Sequence, residues 1–376
     1  MKIGIVCFPS YGGSGVLATE LGWHLANLGH QVHFISYDQP FRLKFHENIF
    51  YHPVNTPHYD LFPFPPYYLA LVNKIAQVVE EEELDLIHAH YAVPHALACQ
   101  QALAMVVGKE VGLVTTLHGT DITLVGNNES FFRTTRYAII NSPGLTAVSR
   151  DLAKLTREVF NIERPIPCIH NFVDTREYQR MKPENIPCRL RYRSKEEKLI
   201  IHISNFRGVK RVEDLIEVFD RVQKKVLARL LLVGDGPTRD SVAARVREKG
   251  LENRVVFLGA QDNVVPLLSI ADLLILPSEK EAFGLVNIEA MACEVPVLAT
   301  EVGGIPEVVV HGETGFLAPV GDIKKMTELA TQILENPDLQ KKMGLAGRQR
   351  VIDNFSSDRI VPLYLDYYQE IKGGKN

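Results

Sequence analysis

Short apolar, β-branched runs alternate with amphipathic stretches along this chain, and no other feature constrains its fold so strongly. Strands are expected at 2–8, 31–36, 84–90, 112–117 and 144–148, with helical segments such as Val16–Leu28, closed by Gly29, between them. Such alternation builds βαβ units around a parallel sheet. The rhythm breaks over Asn161–Ser194, a polar stretch holding Pro165, Pro167, Pro183 and Pro187, and then restarts. Strands follow near 198–204, 229–233, 254–258, 273–276 and 296–299. The expected fold class is α/β, with two Rossmann-like doubly wound domains facing a central cleft. The boundaries are 1–165 for the N-terminal domain and 166–357 for the C-terminal one, with a helix at 358–372 packing back on the first. Ligands of open α/β sheets bind at the C-terminal ends of the strands, so the residues there carry the question of function.

Composition removes several classes. Of 376 residues, 46% are hydrophobic and 23% charged, the profile of a soluble globular protein. A net charge of −4 argues against a general nucleic-acid binder. No run approaches the roughly 18–20 apolar residues of a membrane span. Met1-Lys2 leads straight into the first strand and then Pro9, so neither a leader peptide nor secretion is expected. Five scattered cysteines (Cys7, Cys99, Cys168, Cys188, Cys293) form no CxxC pair, which fits reduced thiols in the cytoplasm. Oligomeric state is left open, a homo-oligomer included.

Gly13-Ser-Gly-Val-Leu-Ala18 matches the dinucleotide fingerprint, and Asp38 lies beyond the next strand. The spacing weakens an NAD reading, because Pro9-Ser10-Tyr11-Gly12 separate strand from glycine where that fold has a tight turn. A glycine loop before a helix can still present N–H groups to an anion. A second such place lies in Glu279–Thr300: Glu281 precedes a helix expected to begin near Gly284, and Glu289 falls inside it. Helix N–H groups there favour a phosphate, and two carboxylates can accept hydrogen bonds from sugar hydroxyls. Arg207, Lys210 and Arg211 crowd another helix start, where cations oppose the dipole unless an anion is near. His88, His90 and His118 with Asp121 suggest a metal only weakly, and none is expected. The aromatic, proline-rich stretch His58–Tyr68 is expected to border the acceptor side or to be purely structural.

The stretch Glu281–Glu289 resembles the E-x7-E region of the retaining, two-Rossmann-domain glycosyltransferases that use nucleotide sugars, glycosyltransferase group 4 of the GT-B fold. The resemblance implies that Glu281 contacts the donor hexose, that Glu289 holds the ribose, and that Phe283, Gly284 and Leu285 lie by the diphosphate. It implies Lys210, and less directly Arg207, as cations on the leaving diphosphate, with the Gly13 loop beside the donor and His118 against the donor sugar. Catalysis then rests on His118, Lys210 and Glu281 without external metal. Where the family has a glycine cap this chain has Glu294, at a cost of about 1 kcal/mol.

Tyr11–Gly15, Ile87–Ala96, Thr115–Thr123, Ser204–Arg211 and Ser278–Leu285 resemble a narrower branch. Its donor is UDP-N-acetylglucosamine (UDP-GlcNAc), its acceptor L-malate, and its reaction opens bacillithiol biosynthesis. For a small dicarboxylate the sequence offers Ser14, Thr120, Tyr91, Arg42 and Arg136. The other readings are a group 4 transferase with another acceptor, a UDP-GlcNAc 2-epimerase of the same architecture, and the NAD enzyme.

Overall fold

The computed structural model describes residues 1–373 apart from Tyr11, 57–59, 61–63, 187–191, 193 and 195. Cys188, Pro187 and much of the aromatic stretch His58–Tyr68 thus lie outside the described residues. The chain divides into two compact units, Met1–Asn171 with the returning segment from Asp358, and Phe172–Ser357.

In the first unit the strands are β1 (Lys2–Val6), β2 (Gln31–Ser36), β3 (Ile49–Pro53), β4 (Leu86–His90), β5 (Gly112–Leu117) and β6 (Gly144–Ala147). In the second they are β7 (Lys198–Ile203), β8 (Ala228–Val233), β9 (Val255–Gly259), β10 (Leu273–Leu276), β11 (Val297–Thr300) and β12 (Gly315–Ala318). The sheets run β3-β2-β1-β4-β5-β6 and β12-β11-β10-β7-β8-β9, and their paired strands are parallel. Counted within its own unit, each sheet has the same 3-2-1-4-5-6 order, the doubly wound arrangement. The strand order reverses between β1 and β4 and again between β7 and β10.

Two strands, β3 and β12, fall outside the ten expected from sequence. Both are sheet edges. β3 is half-exposed and ends on Pro53, so it lacks the continuous apolar run that marks a buried parallel strand, whereas β12 is apolar and buried but has only four residues behind a glycine turn.

Packing follows from the helix stripes. Leu71, Ile75 and Val79 of helix Tyr67–Glu81 recur every four residues and meet Ile35 and Ile87 of the first sheet. Leu215, Ile216 and Phe219 of helix Val212–Val222, on one face at one- and three-residue spacing, pack against Ile200, Leu230 and Leu232 of the second. Each such side chain contributes about 1.5–3 kcal/mol on burial. Helix Gly13–Asn27 starts three residues ahead of the expected Val16, and Gly15 is the reason it can. A Cβ there would stand 2.4 Å from the Ser10 carbonyl oxygen, so only glycine lets the helix lie on the loop after β1. The last helix, Ser357–Lys372, returns to the first unit. Tyr368 meets His88 Nδ1 at 2.6 Å, the Leu145 N–H donates to the Tyr367 hydroxyl at 2.9 Å, and Lys372 pairs with Asp85 at 2.7 Å.

Glu294 follows helix Leu285–Ala292 with φ 60°, a left-handed conformation that costs an L-residue about 1–2 kcal/mol. Cys7, Cys99 and Cys293 are buried free thiols, and burial raises the pKa of each. Among the described residues no helix is long and apolar enough to cross a membrane.

Burial pushes His33, His95 and His202 down to about 4, and His88 and His118 down to about 3. Unfolding releases each to bind a proton near ~6.5. Between that value and about 4 the unfolded chain therefore holds more protons, and stability falls as pH falls. Asp121, raised to about 6 by burial, works in the opposite sense but is one group against the five histidines named. The urea midpoint is expected to be clearly lower at pH 5.5 than at pH 7.5; equal midpoints would contradict the neutral buried histidines.

Candidate functional site

In the second unit the loops after β7 and β10 flank the point where strand order reverses. They are tied together by the Glu279 N–H, which donates to the Val209 carbonyl at 2.7 Å. Lys210 comes from the first loop and Glu281 from the second, and they meet as an ion pair with Nζ 2.5 Å from Oε2. The Gly304 N–H holds the Glu281 carbonyl at 3.2 Å, which fixes the loop on its far side. Arg211 is engaged elsewhere, with Asp214 at 2.7 Å and Glu279 at 3.6 Å, so it balances carboxylates of its own. Arg207 is exposed at the end of the same loop.

Gly284 precedes helix Leu285–Ala292 with φ 81°, the left-handed turn that swings the chain from loop to helix. The first N–H groups of a helix have no partner inside it, so this start is suited to an anion. Leu285 is half-buried there. The Phe283 ring is 1% exposed and packs edge-on against Phe355 at 5.7 Å, which leaves its backbone as the part a ligand can meet. Glu289 is buried one turn in, and the Tyr178 hydroxyl donates to its Oε1 at 3.0 Å. Asn287 is fully buried, with neither end of its amide hydrogen-bonded among the described residues. A Cβ on Gly284 would stand 2.5 Å from its Nδ2, so the glycine also makes room for that amide.

The first unit gathers a second group at the ends of β1, β4 and β5. Gly13 is exposed at the start of its helix, and the next residue, Ser14, meets the Tyr91 hydroxyl at 2.8 Å. The Tyr91 ring lies 5.1 Å from that of His118, whose Nε2 is 2.9 Å from Nδ1 of His90. Asp121 joins the two loops: it accepts from the Ala92 N–H at 3.1 Å and from the Gly119 and His118 N–H groups at 2.9 and 3.2 Å. Burial raises its pKa to about 6 against the pull of those donors. His118 is pushed down to about 3 by burial and then by His95, so the ring is neutral. Thr120 begins the short helix Thr120–Thr123 beside it.

Ser14, Tyr91 and His118 are thus brought into contact, as are Lys210 and Glu281, whereas the two candidate arginines sit on other elements. Arg42 lies in the loop between β2 and β3 with its guanidinium over the Phe41 ring at 5.2 Å. Arg136, on helix Glu129–Ile140, donates from Nε to the Phe160 carbonyl at 2.8 Å, capping helix Arg150–Phe160.

Sequence reasoning missed Tyr178 and Asn287. Tyr178 stands 111 residues from Glu289 and carries no motif of its own. Asn287 interrupts an otherwise apolar helix start, and that polarity was the available signal. His90 was visible as sharing a strand face with His88, but its contact with His118 depends on the β4–β5 register that sets it opposite Thr116.

Sequence models of two families match this chain: "Glycosyltransferase Family 4" over residues 11–177 and "Glycosyl transferases group 1" over residues 191–350. The chain is 46% identical to the N-acetyl-alpha-D-glucosaminyl L-malate synthase of Bacillus anthracis over 379 residues, covering 100% of this chain and 99% of that protein. Among solved structures, sucrose-phosphate synthase from Thermosynechococcus elongatus superposes with a TM-score of 0.84 at 22% identity, each chain covered in full. Anabaena HepE, solved with UDP and glucose, gives 0.81 at 21% identity over 98% of this chain and 99% of its own. These two likenesses establish the shared fold.

Tyr178→Phe removes one donor from a buried carboxylate. Hydrogen bonds to charged groups are worth about 1.5–3 kcal/mol, and a loss of that size in urea unfolding is expected. A variant as stable as the parent would mean that the bond contributes nothing to holding Glu289.

Proposed function

This chain belongs to the group 1 and group 4 glycosyltransferases, UDP-sugar-dependent enzymes of the GT-B fold, and from that premise we propose that it moves N-acetylglucosamine from UDP-GlcNAc to the hydroxyl of L-malate. In this reading it carries out the first step of bacillithiol biosynthesis, in the cytoplasm. The observation that carries the choice of acceptor is the full-length identity to the Bacillus anthracis malate synthase.

The chemistry is a substitution with retention. A bond forms between the malate hydroxyl oxygen and the anomeric carbon, and the bond from that carbon to the β-phosphate oxygen breaks. The hydroxyl proton passes to the departing phosphate on the same face of the sugar. Charge grows on the diphosphate as the sugar gains oxocarbenium character, so the protein's work is positioning and electrostatic stabilisation. Lys210, Arg207 and the N–H groups at Phe283, Gly284 and Leu285 take the diphosphate in this scheme, with the Gly13 loop beside it. Glu281 orients the hexose and Glu289 the ribose. The contact between Lys210 and Glu281 supports this reading, because it sets a group for the phosphate beside a group for the sugar ring. His118 lies against the sugar, while Ser14, Tyr91 and Thr120, with Arg42 and Arg136, are the candidates for malate.

Purified protein incubated with UDP-GlcNAc and L-malate in EDTA is expected to yield glycosyl malate by mass spectrometry, and none with glycerol, inositol phosphate or lipid acceptors. UDP release without that product would remove malate and keep the transferase. No UDP release with any acceptor would remove the transferase reading and favour the epimerase. Lys210→Ala and Glu281→Ala are each expected to lower turnover at least about a hundredfold, the scale of a lost oxyanion donor. Wild-type rates in either variant would take that residue out of the mechanism.

A further inference from the structure

The His118 imidazole does not stand alone. His90, fully buried on β4, lies between the rings of His88 at 4.3 Å and His118 at 5.1 Å, nearly parallel to the latter at 19°. His90 Nδ1 is 2.9 Å from His118 Nε2, and one of these two nitrogens must carry the proton between them. The rest of the cluster decides which. His90 Nε2 is buried with no partner among the described residues. If Nε2 held the ring proton, a donor would be orphaned in the interior; if Nδ1 holds it, only a lone pair is left over. Orphaned N–H groups are the rarer and costlier case.

His95 shows the same preference. Its Nδ1 can only donate to the His90 carbonyl, which places its proton on Nδ1 and leaves its buried Nε2 as a bare lone pair. Burial also holds His90 well below the usual imidazole range, with His88 and His118 adding to the effect, so the ring carries a single proton.

We propose that His90 is a positioning residue: by donating from Nδ1 to Nε2 of His118, it fixes His118 in the Nδ1-protonated tautomer and presents that N–H as a hydrogen-bond donor. The inference rests on the reading that His118 lines the transfer site, and it gives that residue a definite role. His118 then meets a hydroxyl or carbonyl oxygen of the sugar, or a malate carboxylate, as a neutral donor. It does not act as the base that deprotonates malate, which agrees with a scheme in which the departing phosphate takes the proton. The Asp121 clasp on the His118 backbone and the in-plane contact with His90 Nδ1 together leave the side chain little freedom.

The test combines tautomer and rate. Nitrogen-15 spectra of histidine-labelled enzyme are expected to show His118 protonated at Nδ1 and bare at Nε2. In His90→Phe, which keeps a stacking ring but no nitrogen, His118 is expected to shift towards the Nε2-protonated form common for free imidazole. Turnover is then expected to fall about tenfold or more, as for a misoriented contact, with UDP affinity unchanged. His90→Asn, whose amide nitrogen reaches the position of Nδ1, is expected to restore the tautomer and most of the rate. An Nε2-protonated His118 in the parent enzyme would overturn the proposal, as would full activity in the Phe variant. A correct tautomer in a parent enzyme that makes no glycosyl malate would uphold the relay and defeat the assignment of function instead.

Discussion

Parallel strands can be joined only through crossovers, and everything else in this molecule follows from that constraint. Each crossover returns the chain to the end of the sheet where the previous strand began, so all strands finish, and release their loops, at the opposite end. The order reverses between β1 and β4 and between β7 and β10, the points at which open α/β sheets take their ligands. Lys210 and Glu281, separated by 71 residues, become neighbours because the loops that carry them follow adjacent strands of one sheet. Ser14, Tyr91 and His118 meet for the same reason in the other.

The two groups differ in their electrostatics. In the second unit the candidate side chains Lys210 and Glu281 are charged and paired, and Arg211 beside them is paired with Asp214 and Glu279. Paired charges beside a helix start suit a diphosphate, whose negative charge must be held and then released. In the first unit the candidate ring, His118, is neutral and belongs to a histidine cluster kept uncharged by desolvation. A neutral network fixes hydrogen-bond direction without adding net charge.

Much of this was legible in the sequence, and the reasons are particular. Buried parallel strands write themselves as apolar runs, so β2, β5 and β10 match their expected bounds, while the half-exposed edge strand β3 does not announce itself. The Glu281–Glu289 stretch could be read because loop, glycine and helix lie consecutively there. Long-range partners could not. Tyr178 under Glu289 and His90 behind His118 depend on how distant elements are laid side by side, and single residues of that kind leave no periodic trace. Phe283 was expected near the diphosphate, but only packing against Phe355 reveals that its ring is turned away into the interior.

The central claim is that the sugar leaves UDP and joins malate with retention, the acceptor entering on the face from which the diphosphate departs. The most direct measurement is the anomeric proton coupling of the isolated glycosyl malate in proton NMR. Starting from α-linked UDP-GlcNAc, the account predicts an α-linked product alone. A β-linked product would contradict it, because the acceptor would then have entered opposite the diphosphate and could not have passed its proton to the departing phosphate.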